Sequence, residues 1–256
     1  MAADPLAGIA RPLGRRAWLW GALIVVLAGC VRTGGRLRES VALARLSQPL
    51  QRVPAQTALQ LLIVGDSTAV GTGATAPQAS LAGLLGEHFP RLRIDNRSRD
   101  GAQFAALLDQ LEGDERYDMV LVMAGGNDVV RMRGLQAMQS DIDRVTQRAR
   151  QRAHLTVLMP AGNVGNAPFF FAPVSWLMTW RSRRLQAFAS EAALRHGAVL
   201  VNLFRESADD PFVQRPELNA ADGLHPSDAG YRVWFGELMT QAALPQRLAA
   251  ALDVNR

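Results

Sequence analysis

The strongest constraint this sequence places on its fold is a rhythm. Five short, β-rich apolar runs recur beyond residue 58: LQLLIV (59–64), RLRI (91–94), MVLVMA (119–124), LTVLMP (155–160) and AVLVNLF (198–204). Between them the apolar period changes. Leu81, Leu84, Leu85 and His88 fall at helical spacing, as do Phe104, Leu107, Leu108 and Leu111, and then Leu135, Met138, Ile142 and Val145. A run that is apolar at nearly every position suits a strand buried on both faces. Alternation with helices supplies the crossovers that a parallel sheet requires. The pattern predicts one α/β domain over 58–251, a three-layer α/β/α sandwich on a five-stranded parallel sheet, with a last helix over 228–250 and a tail at 252–256. Right-handed crossovers limit the strand order without fixing it.

Ligands of such sheets bind outside the carboxyl ends of the strands. Three polar, glycine-bearing loops fall there: Gly65-Asp66-Ser67 after the first run, Asn96 to Gly101 after the second, and Gly125-Gly126-Asn127-Asp128 after the third. Gly-Asp-Ser is ordinary turn chemistry, but it also sets a hydroxyl at the tip of a buried strand. A serine hydroxyl becomes a nucleophile at neutral pH only beside a base. Of the four histidines, His88 and His196 sit at helix ends and His154 at a strand start, placements that read as structural. His225 differs. It lies in Asp222-Gly223-Leu224-His225-Pro226, where a carboxylate three residues earlier can hold one ring nitrogen and turn the other toward a serine. The same segment also reads as a helix start, with Ser227 as its N-cap, and the two readings are compatible.

GDS at 65–67, Gly101 after NRSRD, GGND at 125–128 and DGLHP at 222–226 occur in this order and resemble the four blocks of the SGNH (GDSL-type) hydrolase family. The blocks span most of the predicted domain. The resemblance implies a flavodoxin-like sheet and hydrolysis of an ester or thioester. It implies a catalytic set of Ser67 as nucleophile, His225 as base and Asp222 as its orienting acid. The oxyanion donors would be the backbone N–H groups of Ser67 and Gly101 and the side-chain amide of Asn127. Asp66 and Asp128 read as loop-holding carboxylates. Ala102-Gln103 departs from the small hydroxyl residue that relatives often carry after the glycine, which bears on substrate fit. The G-x-S-x-G elbow of α/β-hydrolases is absent, since residue 69 is alanine. The G-x-G-x-x-A at 71–76 starts too far beyond its strand for a dinucleotide fingerprint, and no loop ends in Gly-Lys.

The N-terminus carries a second message. Arg11, Arg15 and Arg16 precede the apolar run AWLWGALIVVLAG, and Cys30 follows at once. That is the layout of a secretory signal, and Leu27-Ala28-Gly29-Cys30 resembles the bacterial lipobox, with Cys30 lipidated. An uncleaved anchor helix is the alternative. Both place the domain outside the cytoplasm at the cell envelope, tethered to a membrane, with 31–57 as a tether that includes a short helix at 38–46. As Cys30 is the one cysteine, no intrachain disulfide or thiolate zinc cluster can form, and neither metal nor cofactor is expected. The net charge is +5, yet every one of the 28 basic residues is arginine and they are scattered, so nucleic acid is not an expected partner.

The expected partner is an ester, as a small molecule, a lipid or an acetylated glycan. Acetyl transfer or de-acetylation on envelope sugars, and a non-enzymatic binding role on the same scaffold, are the competing readings. Beyond the fourth run, Asn163 and Asn166 fall near the same edge. The aromatic stretch that follows reads as the wall of an acyl pocket, as a bilayer contact, or as a helix whose Trp176, Leu177 and Trp180 pack on the sheet, and partial packing is expected over a dedicated membrane surface.

Overall fold

A computed structural model describes residues 34–254. Cys30 and the basic–apolar segment before it lie outside the described residues. The first helix, α1, covers 34–46. Five strands follow: β1 (Leu59–Gly65), β2 (Leu92–Asn96), β3 (Tyr117–Met123), β4 (Ala153–Leu158) and β5 (Val199–Leu200). They form one parallel sheet in the order β2-β1-β3-β4-β5. The chain steps from β1 outward to β2, then returns past β1 to β3, so the order reverses between β1 and β3. A crevice forms at such a reversal, outside the carboxyl ends.

Helices cover both faces because alternate strand residues point to opposite sides. Leu62 and Val64 of β1, with Val120 and Val122 of β3, join one apolar cluster. Its cover comes from α4 (Leu107–Gln110), α6 (Leu135–Arg152) and α7 (Val174–His196), through Leu107, Ile142, Val145 and Leu185. Leu61, Ile63, Leu121 and Met123 join the other cluster, under α3 (Leu81–His88), α9 (Asp228–Gln241) and α10 (Leu244–Val254). Both faces of β1 and β3 are thus buried, as their near-continuous apolar sequences require.

Three elements depart from the sequence reading. The final helix is two helices, parted at Ala242 and at Ala243, whose φ of 44° takes the chain out of helical geometry. Pro245 then stands in the first turn of α10, where a missing N–H costs nothing. The fifth strand stops at Leu200, because Gln241 takes over the backbone of Asn202 through both its amide oxygen and its amide nitrogen. The short helix expected at 38–46 within the tether starts earlier, as α1 at 34, and Arg52 beyond it pairs antiparallel with Ile94 on the outer edge of β2. Among the described residues, no helix is long and apolar enough to cross a membrane.

Candidate active site

β1 ends where its backbone can no longer find a ladder partner on every side, and a side chain replaces it. Buried Gln110 accepts from the Gly65 N–H (2.7 Å) and donates to the Gly65 carbonyl (3.0 Å). Asp66 then caps the short helix α2 (Ser67–Val70), accepting from the Thr68 N–H (3.0 Å) and hydroxyl (2.8 Å). Ser67 is the first residue of that helix. Its N–H is one of the groups a helix leaves unpaired at its start. Burial raises the Asp66 carboxyl above the ordinary aspartate range; the Thr68 bonds and the nearby His225 pull it back, and Asp100 adds to the rise.

The loop that enters α9 brings the histidine to this point. His225 Nε2 lies 2.8 Å from Ser67 Oγ, and His225 Nδ1 lies 2.6 Å from Asp222 Oδ2. The other carboxylate oxygen of Asp222 accepts from the backbone N–H groups of Leu224 (2.9 Å) and His225 (3.1 Å). Asp222 is fully buried and His225 nearly so. Burial pushes the Asp222 carboxyl up, but the His225 contact and charge and the two N–H bonds outweigh it, so the group sits below its usual range. Ser227 caps α9 by accepting from the Gly230 N–H, so the helix-start reading of this segment holds beside the histidine's placement. The single proton of the Tyr231 hydroxyl, shared between the Thr72 carbonyl (2.9 Å) and the Thr68 carbonyl (3.2 Å), ties α9 to α2 and the turn after it.

Gly73 lets the two loops meet. Its φ is 96°, and a Cβ there would stand 2.4 Å from the Pro226 carbonyl oxygen and 3.0 Å from His225 Cβ. Gly101 is likewise left-handed, at φ 74°. Neither its N–H nor that of Ser67 has an acceptor among the described residues. Helix α5 (Gly126–Val130) carries Asn127, whose Nδ2 donates to the Ala102 carbonyl at 3.1 Å. Asp128, fully buried, accepts from the Phe104 N–H at 3.0 Å. These two bonds tie the end of β3 to the loop that bears Gly101. Burial, opposed by the Phe104 bond and assisted by the charges of Asp66 and Asp141, pushes the Asp128 carboxyl up to about 6.

Ser67, Gly101, Asn127 and His225 line one cleft of about 490 Å³. All the site residues anticipated within the described chain therefore come together, with Asp222 directly behind His225. Most of the cleft wall is apolar, including Val164, Phe169, Phe170 and Trp234. One side is polar: Asn166 Nδ2 donates to Asp210 Oδ2 (2.7 Å), and Asn163 Nδ2 donates to the Arg205 carbonyl (3.1 Å). Sequence reasoning missed Leu37 and Val41 of α1, which also line the cleft; their spacing with Ala44 along one helix face was the available signal. It missed Arg131 too, whose Nη2 lies 2.9 Å from where a Gly101 Cβ would stand, and nothing local in the sequence marks it. His88 and His196 take the structural places expected of them: His88 packs edge-on against Phe89 and Phe235, and His196 meets Asp143 at 2.9 Å. No group of three His, Cys, Asp or Glu side chains that could hold a metal occurs among the described residues.

The fold recurs among solved structures. An α/β hydrolase enzyme from the metagenome of Lake Arreo, Spain, is 24% identical, with a TM-score of 0.55 over 73% of this chain and 96% of that one. A lipase/acylhydrolase from Enterococcus faecalis is 19% identical, with a TM-score of 0.54 over 70% and 93%. An acetyl xylan esterase variant from Geobacillus stearothermophilus is 21% identical, with a TM-score of 0.53 over 73% and 95%. No curated protein matches the chain. The GDSL-like lipase/acylhydrolase family matches residues 63–233, from inside β1 through the histidine loop into α9. The chain belongs to that family and is an ester hydrolase.

Proposed function

We propose that this protein is a membrane-tethered serine esterase of the cell envelope that works through an acyl-enzyme. The observation that carries the chemistry is the continuous relay Ser67 Oγ–His225–Asp222, with contacts of 2.8 and 2.6 Å. Ser67 Oγ attacks the acyl carbon while His225 Nε2 takes its proton. Asp222 holds the ring through Nδ1–H and stabilises the imidazolium that forms. The tetrahedral oxyanion receives hydrogen bonds from the N–H groups of Ser67 and Gly101 and from the Asn127 amide, turned from the Ala102 carbonyl. Collapse breaks the ester C–O bond, and His225 returns the proton to the departing alcohol. Water then repeats the sequence on the acyl-serine, with His225 again as base, and releases the acid.

The largely apolar cleft supports an acyl chain as the bound group. Its polar flank of Asn163, Asn166 and Asp210 favours a second reading, an acetylated glycan whose hydroxyls would meet those groups. Transfer of the acyl group to a sugar would need only that a hydroxyl replace water in the second half. The tether reading rests on the basic–apolar–Cys30 layout of the N-terminus. Turnover of a p-nitrophenyl ester by Ser67→Ala is the direct test. The expected loss is about 10³-fold or more in kcat. Undiminished turnover by the purified variant would reject Ser67 as nucleophile.

A further inference from the structure

We propose that the start of α7 is a bilayer-docking ridge that sets the mouth of the cleft against a lipid surface. Phe171, Val174, Trp176, Leu177 and Trp180 are 51, 42, 71, 42 and 45% exposed. Large apolar side chains grouped in this way mark a contact surface on a water-soluble domain. Their exposure follows from the helix itself. The opposite side of α7 is the buried one, through Met178, Arg181, Ser182 and Leu185, so the two tryptophans point away from the core. Of the three residues expected to pack partly, Trp176 departs most, because the core face of this helix is already filled by other residues, while Leu177 and Trp180 stay about half covered.

Three further observations name a bilayer as the occupant. The first is charge. No aspartate or glutamate occurs from 167 to 190, and Arg183 and Arg184 follow the tryptophans by one turn; Arg183 pairs with Glu206 at 2.8 and 2.9 Å, and Arg184 lies over the Phe188 ring. Aromatic rings bounded by arginines suit the boundary between acyl chains and anionic headgroups. The second is continuity with the site. Phe169 and Phe170, just before the ridge, line the cleft, and the Phe169 N–H donates to the Gly223 carbonyl at 2.9 Å, inside the loop that carries Asp222 and His225. The third is where the chain arrives. Around Gly223, the Arg36 Cζ and Pro168 Cβ atoms each lie 3.2 Å from the position of a Cβ at 223. Arg36 belongs to α1, so the described chain begins beside the histidine loop, and Cys30 precedes Arg36 by six residues in the sequence. This third argument rests on the tether reading, whereas the first two stand without it. Docked in this way, the protein takes the ester of a bilayer-resident lipid directly from the membrane, without passage through water.

The test uses the full chain with vesicles of phosphatidylcholine and phosphatidylglycerol, three parts to one. The tryptophan emission lost in a Trp176→Phe/Trp180→Phe variant isolates the ridge from the remaining tryptophans. That difference signal should be quenched by brominated phosphatidylcholine and shielded from iodide. A difference signal open to iodide and indifferent to bromine overturns the docking, even if the remaining emission reports a membrane-held N-terminus. Shielding from iodide that needs no lipid and grows with protein concentration assigns the ridge to a second copy and also overturns it. In parallel, Trp176→Ser/Leu177→Ser/Trp180→Ser should hydrolyse a vesicle-embedded long-chain ester about tenfold more slowly, with turnover of soluble p-nitrophenyl acetate unchanged. Equal losses on both esters would make the ridge a support of the fold and reject the proposal. A chain that neither floats with vesicles nor changes emission overturns docking and tether together, while its activity on the soluble ester still reports the triad separately.

Discussion

Asp222 spends its two oxygens in different ways. Oδ2 faces the imidazole, while Oδ1 takes two backbone N–H groups of its own loop. The second pair of bonds fixes the carboxylate before any substrate arrives, so the ring it holds is fixed as well. Asp222→Asn keeps the size and loses the charge; its amide also cannot accept from the ring at the nitrogen end. We expect kcat to fall about 10³- to 10⁴-fold with KM little changed. A loss of less than tenfold would remove Asp222 from the mechanism. Asp128 is the opposite case. Its Oδ1 is buried with no hydrogen-bond partner among the described residues, and its carboxyl is pushed up to about 6. A folded-state pKa above the unfolded one binds protons preferentially in the native state. The associated stability is present below the unfolded value of 3.8 and is lost as pH rises through about 6. Asp128→Asn keeps an acceptor for the Phe104 N–H and has no such titration. Wild-type stability relative to this variant should therefore drop by up to ~3 kcal/mol between about pH 3.5 and pH 7. Denaturant midpoints across that range check it, and a flat difference would refute the burial of an ionised carboxyl.

The elements that meet at the site do so through loops, and their approach is close enough to forbid side chains. Gly73, in the turn after α2, lies against the Pro226 carbonyl and the His225 Cβ. Gly73→Ala must move the histidine loop or leave its left-handed conformation. An expected cost of about 1 kcal/mol comes from the backbone alone. A shift of His225 by a few tenths of an ångström to 1 Å should cost up to about 10²-fold in kcat. A crystal structure of the variant with Nε2 still within hydrogen-bond reach of Ser67 and with full activity would contradict this. What was legible at this scale follows physical locality. Asp222 and His225 are three residues apart on one turn, and Ser67 ends an apolar run, so sequence reasoning could place the parts. The break between α9 and α10 was legible and was overlooked: Ala242 and Ala243 are good helix formers, but Pro245 cannot stand in a helix interior and marks a new start, with Ala243 at positive φ just before it. Trp176 of α7 was misread for another reason: hydrophobicity ranks what tends to be inside, but helical phase decides which side chains get there.

At the scale of the molecule, the reversal of strand order between β1 and β3 makes one crevice. Everything that enters it is then shared by distant segments: Ser67 from α2 just beyond β1, Asn127 from α5 just beyond β3, His225 from the final loop, and Leu37 and Val41 from the first helix. The proposed catalytic part of this set was readable because each member sits at a strand end or beside its partner. The walls were not, because Leu37 and Trp234 lie about as far apart in the sequence as the described chain allows and meet only through tertiary packing. A stretch that looked like a spacer between membrane and enzyme therefore also shapes the substrate site. Leu37 and Val41 remain partly exposed while lining the cleft, which leaves apolar surface for an acyl chain to cover. Leu37→Ala/Val41→Ala removes part of that wall and leaves the triad in place. Each truncated side chain should weaken the hold on a long acyl group by about 1 kcal/mol, so KM for a p-nitrophenyl octanoate should rise about thirtyfold. The effect on p-nitrophenyl acetate should be several-fold smaller, since a two-carbon acyl group has little apolar surface for α1 to cover. Steady-state kinetics on the two esters decides the matter. Equal KM changes on both would mean that α1 holds the catalytic loop in place through Arg36 and Gly223 rather than selecting the acyl group.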